Sequence, residues 1–359
     1  MHSLIRRAWV EIDLGALLRN AAKIASQSRA RLLPMVKADA YGLGAVRVAR
    51  TLERLDPWGF GVATIAEGEE LRQAGIVRPI VVFTPLLVGD FDAAIRADLT
   101  PSLGEPEAIR RWQQIGRPWH LAIDTGMSRA GLQWNETDQI RELLPHHAPQ
   151  GAFTHLHSAE RDDETRAEQE RRFATALAAL PVRPALIHVE NSAAVEHRSP
   201  SPWDLVRPGI FLYGVSGGNS PDIEPEPVVG VRARVVELRR IAEGDTVSYG
   251  ATYRATRERT IATLAIGYAD GYRRALSNRA EVLIQGRRVP IVGLVTMDMT
   301  MIDVTDINVA IGDPATLIGS DGDEQIDIAE IARVGDLSPY EVLTGLSGRL
   351  PRRYLEASI

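Results

Sequence analysis

From about residue 30 to residue 215, short apolar runs alternate with amphipathic stretches, and they do so eight times. The runs are LLPMVKA (32–38), WGFGVAT (58–64), PIVVFTP (79–85), DLTPSLG (98–104), PWHLAID (118–124), GAFTHLH (151–157), ALIHVEN (185–191) and LVRPGIF (205–211). Between them lie helix-like segments such as GAVRVARTLERL, AEGEELRQAG, EPEAIRRWQQIG and ETRAEQERRFATALAAL. Strand then helix, repeated this often in under ~200 residues, predicts a closed (β/α)8 barrel of the TIM type rather than an open doubly wound sheet.

After about residue 226 the texture changes. VVGVRARVVELRRI, DTVSYGATYRA, RTIATLAIGYADGY and AEVLIQGRRVPIVGLVTMDMTMIDV are β-rich and joined by Gly and Asp turns, the pattern of a mostly antiparallel β domain. GGNSPDIEPEP (217–227), rich in Gly and Pro, is the boundary. The expected division is a barrel over 10–225 and a β domain over 226–359. An N-terminal strand within 1–9, beginning the RAWVEIDL segment, is expected to join the β domain.

The 359 residues carry a net charge of −6 and contain no cysteine. The charge argues against a nucleic-acid partner. Without cysteine there is no disulfide, no thiolate nucleophile and no zinc–thiolate centre, and no metal is expected. The first twenty residues lack the apolar core of a secretory signal, and no run approaches the ~20 apolar residues of a membrane span. The expected location is the cytoplasm, with no membrane partner.

Active sites of barrels lie at the C-terminal ends of the strands. There the sequence delivers Lys37, then Arg129 in DTGMSRAG, His155 and His157 in THLHSAE, and His188, Asn191 and Ser192 in HVENSAA. Strand eight adds Arg207, Gly209 and Ile210 in VRPGIFLYG. Moving an ammonium out of water is costly unless it is paired or loses its charge. An imine with a carbonyl compound is one way to lose it. The loops after strands seven and eight of many barrels bind phosphate through backbone N–H groups, and NSAA and RPGIFLYG suit that task. A lysine facing a phosphate site suggests pyridoxal 5'-phosphate as cofactor.

MVKADAYGLG, DTGMSRAG, HVENSAA, VRPGIFLYG, SYGATY, IGYADGY, TMDM and PYEVLTGLSGRLPRRY together, and in this order, resemble the alanine racemase family of fold-type III pyridoxal-phosphate enzymes. The resemblance implies an isomerase that interconverts L- and D-alanine, supplying D-alanine for peptidoglycan. It implies that Lys37 forms the imine and is one catalytic base, and that Tyr249 is the other. Tyr41, Ser192, Gly209, Ile210 and Tyr340 resemble phosphate contacts. Arg207 resembles the arginine at the pyridine nitrogen, and His155 the residue beside the ring, with His188 in its polar network. Arg129 resembles the arginine near the substrate carboxylate, and Tyr268, Met297 and Asp298 the substrate entrance. In the family the β domain of a second subunit completes each site, so Tyr249, Tyr268, Met297 and Asp298 are expected from the partner of a homodimer. In solution both groups lose their protons only above ~10, so at neutral pH both are poor bases unless tuned. Positive neighbours such as Arg129 or Arg207 favour tyrosinate and neutral lysine.

Some positions depart from the family pattern. Many relatives carry a carbamylated lysine ahead of DTGM, where this chain has Ala122, so Arg129 must be held in another way, such as by a bound anion. THLHSAE brings His157 and Glu160 to the mouth, and GLVTMDM has Leu294 and Thr296 where Arg and Cys are frequent. A racemase of broader range, acting on serine or a longer amino acid, is therefore an alternative. A fold-type III amino-acid decarboxylase is another, disfavoured by the absence of cysteine. A cofactor carrier resembling the barrel alone would lack the residues after Pro227, and a sugar-phosphate barrel enzyme would not explain the lysine motif.

Overall fold

The computed structural model describes residues 6–356 except 162, 219 and 221. Two compact units are present. One comprises Leu17–Ala40 and Gly44–Glu226, the other the chain before Leu17, Tyr41–Leu43 and everything from Pro227.

The first unit is built on eight parallel strands. They are Arg31–Leu32, Phe60–Val62, Ile80–Val82, Thr100–Leu103, His120–Asp124, Gly151–Phe153, Leu186–Asn191 and Leu205–Arg207. From the second onward each pairs with the next of the eight, and Arg31–Leu32 pairs with Leu205–Arg207. A parallel bridge between Met35 and Gly61 joins the first strand to the second, so the ring closes. All eight expected strands are found, shorter than the apolar runs that announce them. The fourth contains Pro101, which has no N–H for its neighbour; the Ser102 hydroxyl instead donates to Val82 O at 2.8 Å. A further short strand, Leu132–Gln133, lies against His120–Asp124.

Helices follow where the amphipathic segments predict them, and their starts are chemically marked. Ile65–Gln73 begins with a capping box of Thr64 and Glu67. Pro106–Gln113 has a proline at its start and Glu105 as cap, and Asp163 caps Glu164–Ala179.

The second unit centres on one long strand, Val229–Ile241. Its first half alternates buried Val229, Val231, Ala233 and Val235 with half-buried residues, the period of a strand with one apolar face. That half pairs antiparallel with Ala8–Asp13 on one side and Pro314–Asp321 on the other. Its second half pairs with Arg259–Leu264, which pairs in turn with Thr300–Asp303. Ala8–Asp13 also runs parallel to the C-terminal strand Arg352–Leu355. The N-terminal strand therefore lies later than the expected 1–9; residues 1–5 are outside the described part. Two helices, Ile328–Gly335 and Pro339–Thr344, interrupt the β texture.

Candidate active site

The first barrel strand ends before Lys37. The run LLPMVKA reads as strand to Ala38, but after Met35 the chain leaves the ladder, and Lys37 opens a turn over Lys37–Gly42. Ala38, Asp39, Ala40 and Tyr41 have φ of 52°, 54°, 51° and 58°, and Gly42 has 85°. This is a left-handed helical turn, which costs L residues roughly 1–2 kcal/mol each. It is fastened at both ends. Ala40 N–H donates to Val36 O at 2.8 Å, and the Asp39 carboxylate accepts from Ala45 N–H at 2.7 Å. Backbone strain of this kind is characteristic of functional sites.

Lys37 is half-buried, and burial pushes its ammonium below the usual lysine range. Arg129 and Arg207 push in the same direction, and Glu67 opposes them. Only two lysines occur in the whole chain, at 23 and 37, among 41 Lys and Arg residues. Lys23 is spent on an ion pair with Glu226 at 3.1 Å. The scarcity, readable from the sequence, leaves two candidates without any motif, and the ion pair of Lys23 leaves Lys37.

Arg207 is almost wholly buried and rigidly held. Nη1 donates to His188 Nδ1 at 2.9 Å and His188 O at 2.7 Å. Nη2 donates to Thr154 O at 2.8 Å and Val189 O at 2.9 Å. None of these bonds uses Nε. Burial pushes the guanidinium down to about 9, so it stays charged at neutral pH. A guanidinium only donates, so His188 Nδ1 must accept and its proton sits on Nε2. That Nε2 lies 2.9 Å from His120 Nδ1, which accepts in turn. His120, in the fifth strand, joins this buried network and was missed by motif reading; a lone histidine in the apolar run PWHLAID was its signal.

These histidines are neutral. Burial first, and the charge of Arg207 as well, push His155 down to about 3 and His188 well below the usual range. Burial pushes His120 down to about 4. In the unfolded chain each takes a proton near ~6.5, so between that pH and the folded values the unfolded state binds more protons. Stability is therefore full above ~6.5 and falls as the pH drops. At pH 5 His120 alone costs about 2 kcal/mol, and His155 and His188 add losses of the same sign. Urea midpoints measured at pH 7, 6 and 5 are expected to fall steadily; equal midpoints would show that these histidines are not buried in the neutral form.

The last two strands present a cradle. The Ser192 hydroxyl accepts from Gly209 N–H at 2.9 Å and Phe211 N–H at 3.3 Å, which leaves its own proton to donate. Ile210 N–H opens a short helix, Ile210–Tyr213, and donates to no described residue. The run LVRPGIF predicts strand through Phe211, but Pro208 and Gly209 end it after Arg207. Arg129 is exposed and has no hydrogen bond or ion pair with any described residue, while Ala122 is buried in the fifth strand. Among the described residues no group of three or more His, Asp or Glu is placed to hold a metal.

The remaining candidates belong to the second unit. Tyr41 lies against Tyr340, with ring centroids 6.0 Å apart. Tyr249 is 74 % exposed, on a turn where Ser248, Gly250 and Ala251 all have positive φ. Tyr268 and Met297 are 40 % and 54 % exposed. Their segments are tied together: Tyr268 N–H donates to Thr296 O at 2.9 Å and Ala269 N–H to Met297 O at 3.0 Å. Arg349 bridges Asp298 at 2.8 Å and Asp270 at 3.3 Å, and Asp270 accepts from Gly267 N–H at 2.9 Å. At Gly271, with φ of 103°, a side chain would run into Gly345 O.

The model of the alanine racemase N-terminal domain matches residues 12–217, and that of the C-terminal domain matches 228–354. The chain belongs to the alanine racemase family. An alanine racemase of Symbiobacterium thermophilum is 40% identical over 98% of this chain and 97% of its own. The crystal structure of alanine racemase from E. faecalis superposes with a TM-score of 0.92 at 31% identity, covering 98% of this chain and 99% of that one. Alanine racemase from Bartonella henselae, with covalently bound pyridoxal phosphate, gives 0.90 at 30% identity over 97% and 99%.

Proposed function

We propose that this chain interconverts L- and D-alanine with pyridoxal phosphate as cofactor, and so supplies D-alanine for peptidoglycan. The observation that carries this reading is Lys37: a lysine amine of lowered pKa, facing Arg207 and Arg129, in a chain with one other lysine. The residues present fit the cofactor. Lys37 matches its aldehyde, the Ser192 hydroxyl with Ile210 N–H and Gly209 matches its phosphate, and the unused Nε of Arg207 matches its ring nitrogen. Tyr41 and Tyr340 join the phosphate contacts, and His155 lies beside the ring. Pyridoxal phosphate, when bound, supplies an aldehyde for amines and an electron sink for the α-carbon.

Inversion needs a base on each side of the α-carbon. Lys37 serves one side, kept neutral by burial and by the two arginines. The partner subunit's Tyr249 serves the other. Arg129 takes the substrate carboxylate, and the partner's Tyr268, Met297 and Asp298 form the entrance. Exposure of Tyr249, Tyr268 and Met297 supports this, because large apolar side chains left in water mark a surface that another molecule covers. The working unit is a homodimer in the cytoplasm; among the described residues no helix is long and apolar enough to cross a membrane.

Incubation of the pure protein with L-alanine, L-serine and L-lysine, followed by assay of D-isomers, is expected to give D-alanine fastest. Release of carbon dioxide without a D-isomer would replace racemisation by decarboxylation. The shared site has its own test. Lys37→Ala and Tyr249→Phe chains, each inactive alone, are expected to regain about a quarter of normal activity when co-expressed, since half the dimers would carry one intact site of two. No recovery would place both bases in one chain.

A further inference from the structure

The left-handed turn after Lys37 needs something to hold it, and part of the answer lies on the helix that follows the second barrel strand. Glu67 is the third residue of helix Ile65–Gln73 and completes a capping box with Thr64. A capping box needs only the Thr64 N–H, which Glu67 Oε2 accepts at 3.2 Å. The carboxylate does more. Oε2 also accepts from Ala63 N–H at 2.6 Å, and Oε1 accepts from Ala38 N–H at 2.8 Å. Ala38 follows Lys37 directly and is the first residue of the turn with positive φ. One carboxylate thus ties the peptide beside the amine to the end of the second barrel strand.

We propose that Glu67 is a positioning residue for the reaction, its carboxylate fixing the peptide N–H that follows Lys37 and with it the aim of the lysine side chain at the barrel mouth. This rests on the role given to Lys37 above. An unpinned Ala38 N–H would free the strained turn to relax toward right-handed backbone, and the amine would be held in place for a smaller fraction of the time. Charge enters as well. The charged groups facing the Lys37 amine are Arg129, Arg207 and Glu67, with His155 neutral beside them, and Glu67 alone favours the ammonium. Removing that charge moves the amine further toward its neutral form.

The test uses the full chain stripped of cofactor, and reads the rate at which added pyridoxal phosphate is captured, by visible absorbance, across pH. Lys23 is the only other lysine and is ion-paired, so the signal is clean. Glu67→Ala is expected to slow capture about tenfold or more and to lower the midpoint of its pH profile. Glu67→Gln keeps an acceptor but not the charge; it is expected to show the lowered midpoint with a smaller loss of rate. Thr64→Ala breaks the capping box alone, and is expected to lower the melting temperature while leaving rate and midpoint normal. Normal capture in both Glu67 variants, or equal slowing in Thr64→Ala, would reduce Glu67 to a helix cap. Lys37→Ala separates the two ideas: if that variant captures the cofactor normally, the assignment of Lys37 fails, and not the role of Glu67 alone.

Discussion

Lys37→Ala is expected to lower alanine turnover by about 10⁴-fold or more, the upper end of what a lost proton-transfer group costs, because in the proposed mechanism attachment and one base vanish together. The fold is expected to survive. The lost amine is half-buried and its charge is disfavoured there, so removing it relieves a desolvation cost. The turn it opens is fastened through the backbones of Ala38 and Ala40 and the side chain of Asp39, none of which the substitution touches. Turnover measured beside the melting temperature checks both halves. A stable variant with more than a trace of activity would show that another group carries the cofactor.

Tyr249→Phe removes one oxygen from a side chain that is 74 % exposed, so stability is expected to stay within about 0.5 kcal/mol. Cofactor capture, which the proposal assigns to Lys37, is expected to be normal. Turnover is expected to fall by about 10²–10⁴-fold, the range for a missing general base. The sharper signature is asymmetry. With Lys37 alone in place, the α-hydrogen of one antipode of alanine should still exchange with heavy water, while the other antipode is inert and inversion is lost. Equal exchange from both antipodes would show that Tyr249 is not the second base.

Much of this was legible in the sequence because it repeats or because its chemistry is local. The barrel strands announce themselves eight times, and closure follows from their number. The two helices near the C-terminus carried readable marks, Asp327 as one cap and Ser338, Pro339 and Glu341 in a capping box, although the surrounding β texture hides them. The turn after Lys37 was not legible. Hydrophobic pattern is blind to the sign of φ, and ADAY contains no glycine to signal a left-handed backbone. Nor was the second task of Glu67, since its tie to Ala38 spans 29 positions and exists only once the first two strands are neighbours. The His188–His120 link is of the same kind, joining the fifth strand to the seventh.

In the reading proposed above, where the segments around Tyr268 and Met297 form the substrate entrance, the ties between them bear on any attempt to redirect the enzyme to larger amino acids. Two backbone bonds and the Arg349 bridge make those segments one mechanical part. A library that randomises either segment alone will mostly return chains in which that part has come loose; paired libraries, with Asp270, Arg349 and Gly271 left untouched, offer the better odds of new selectivity.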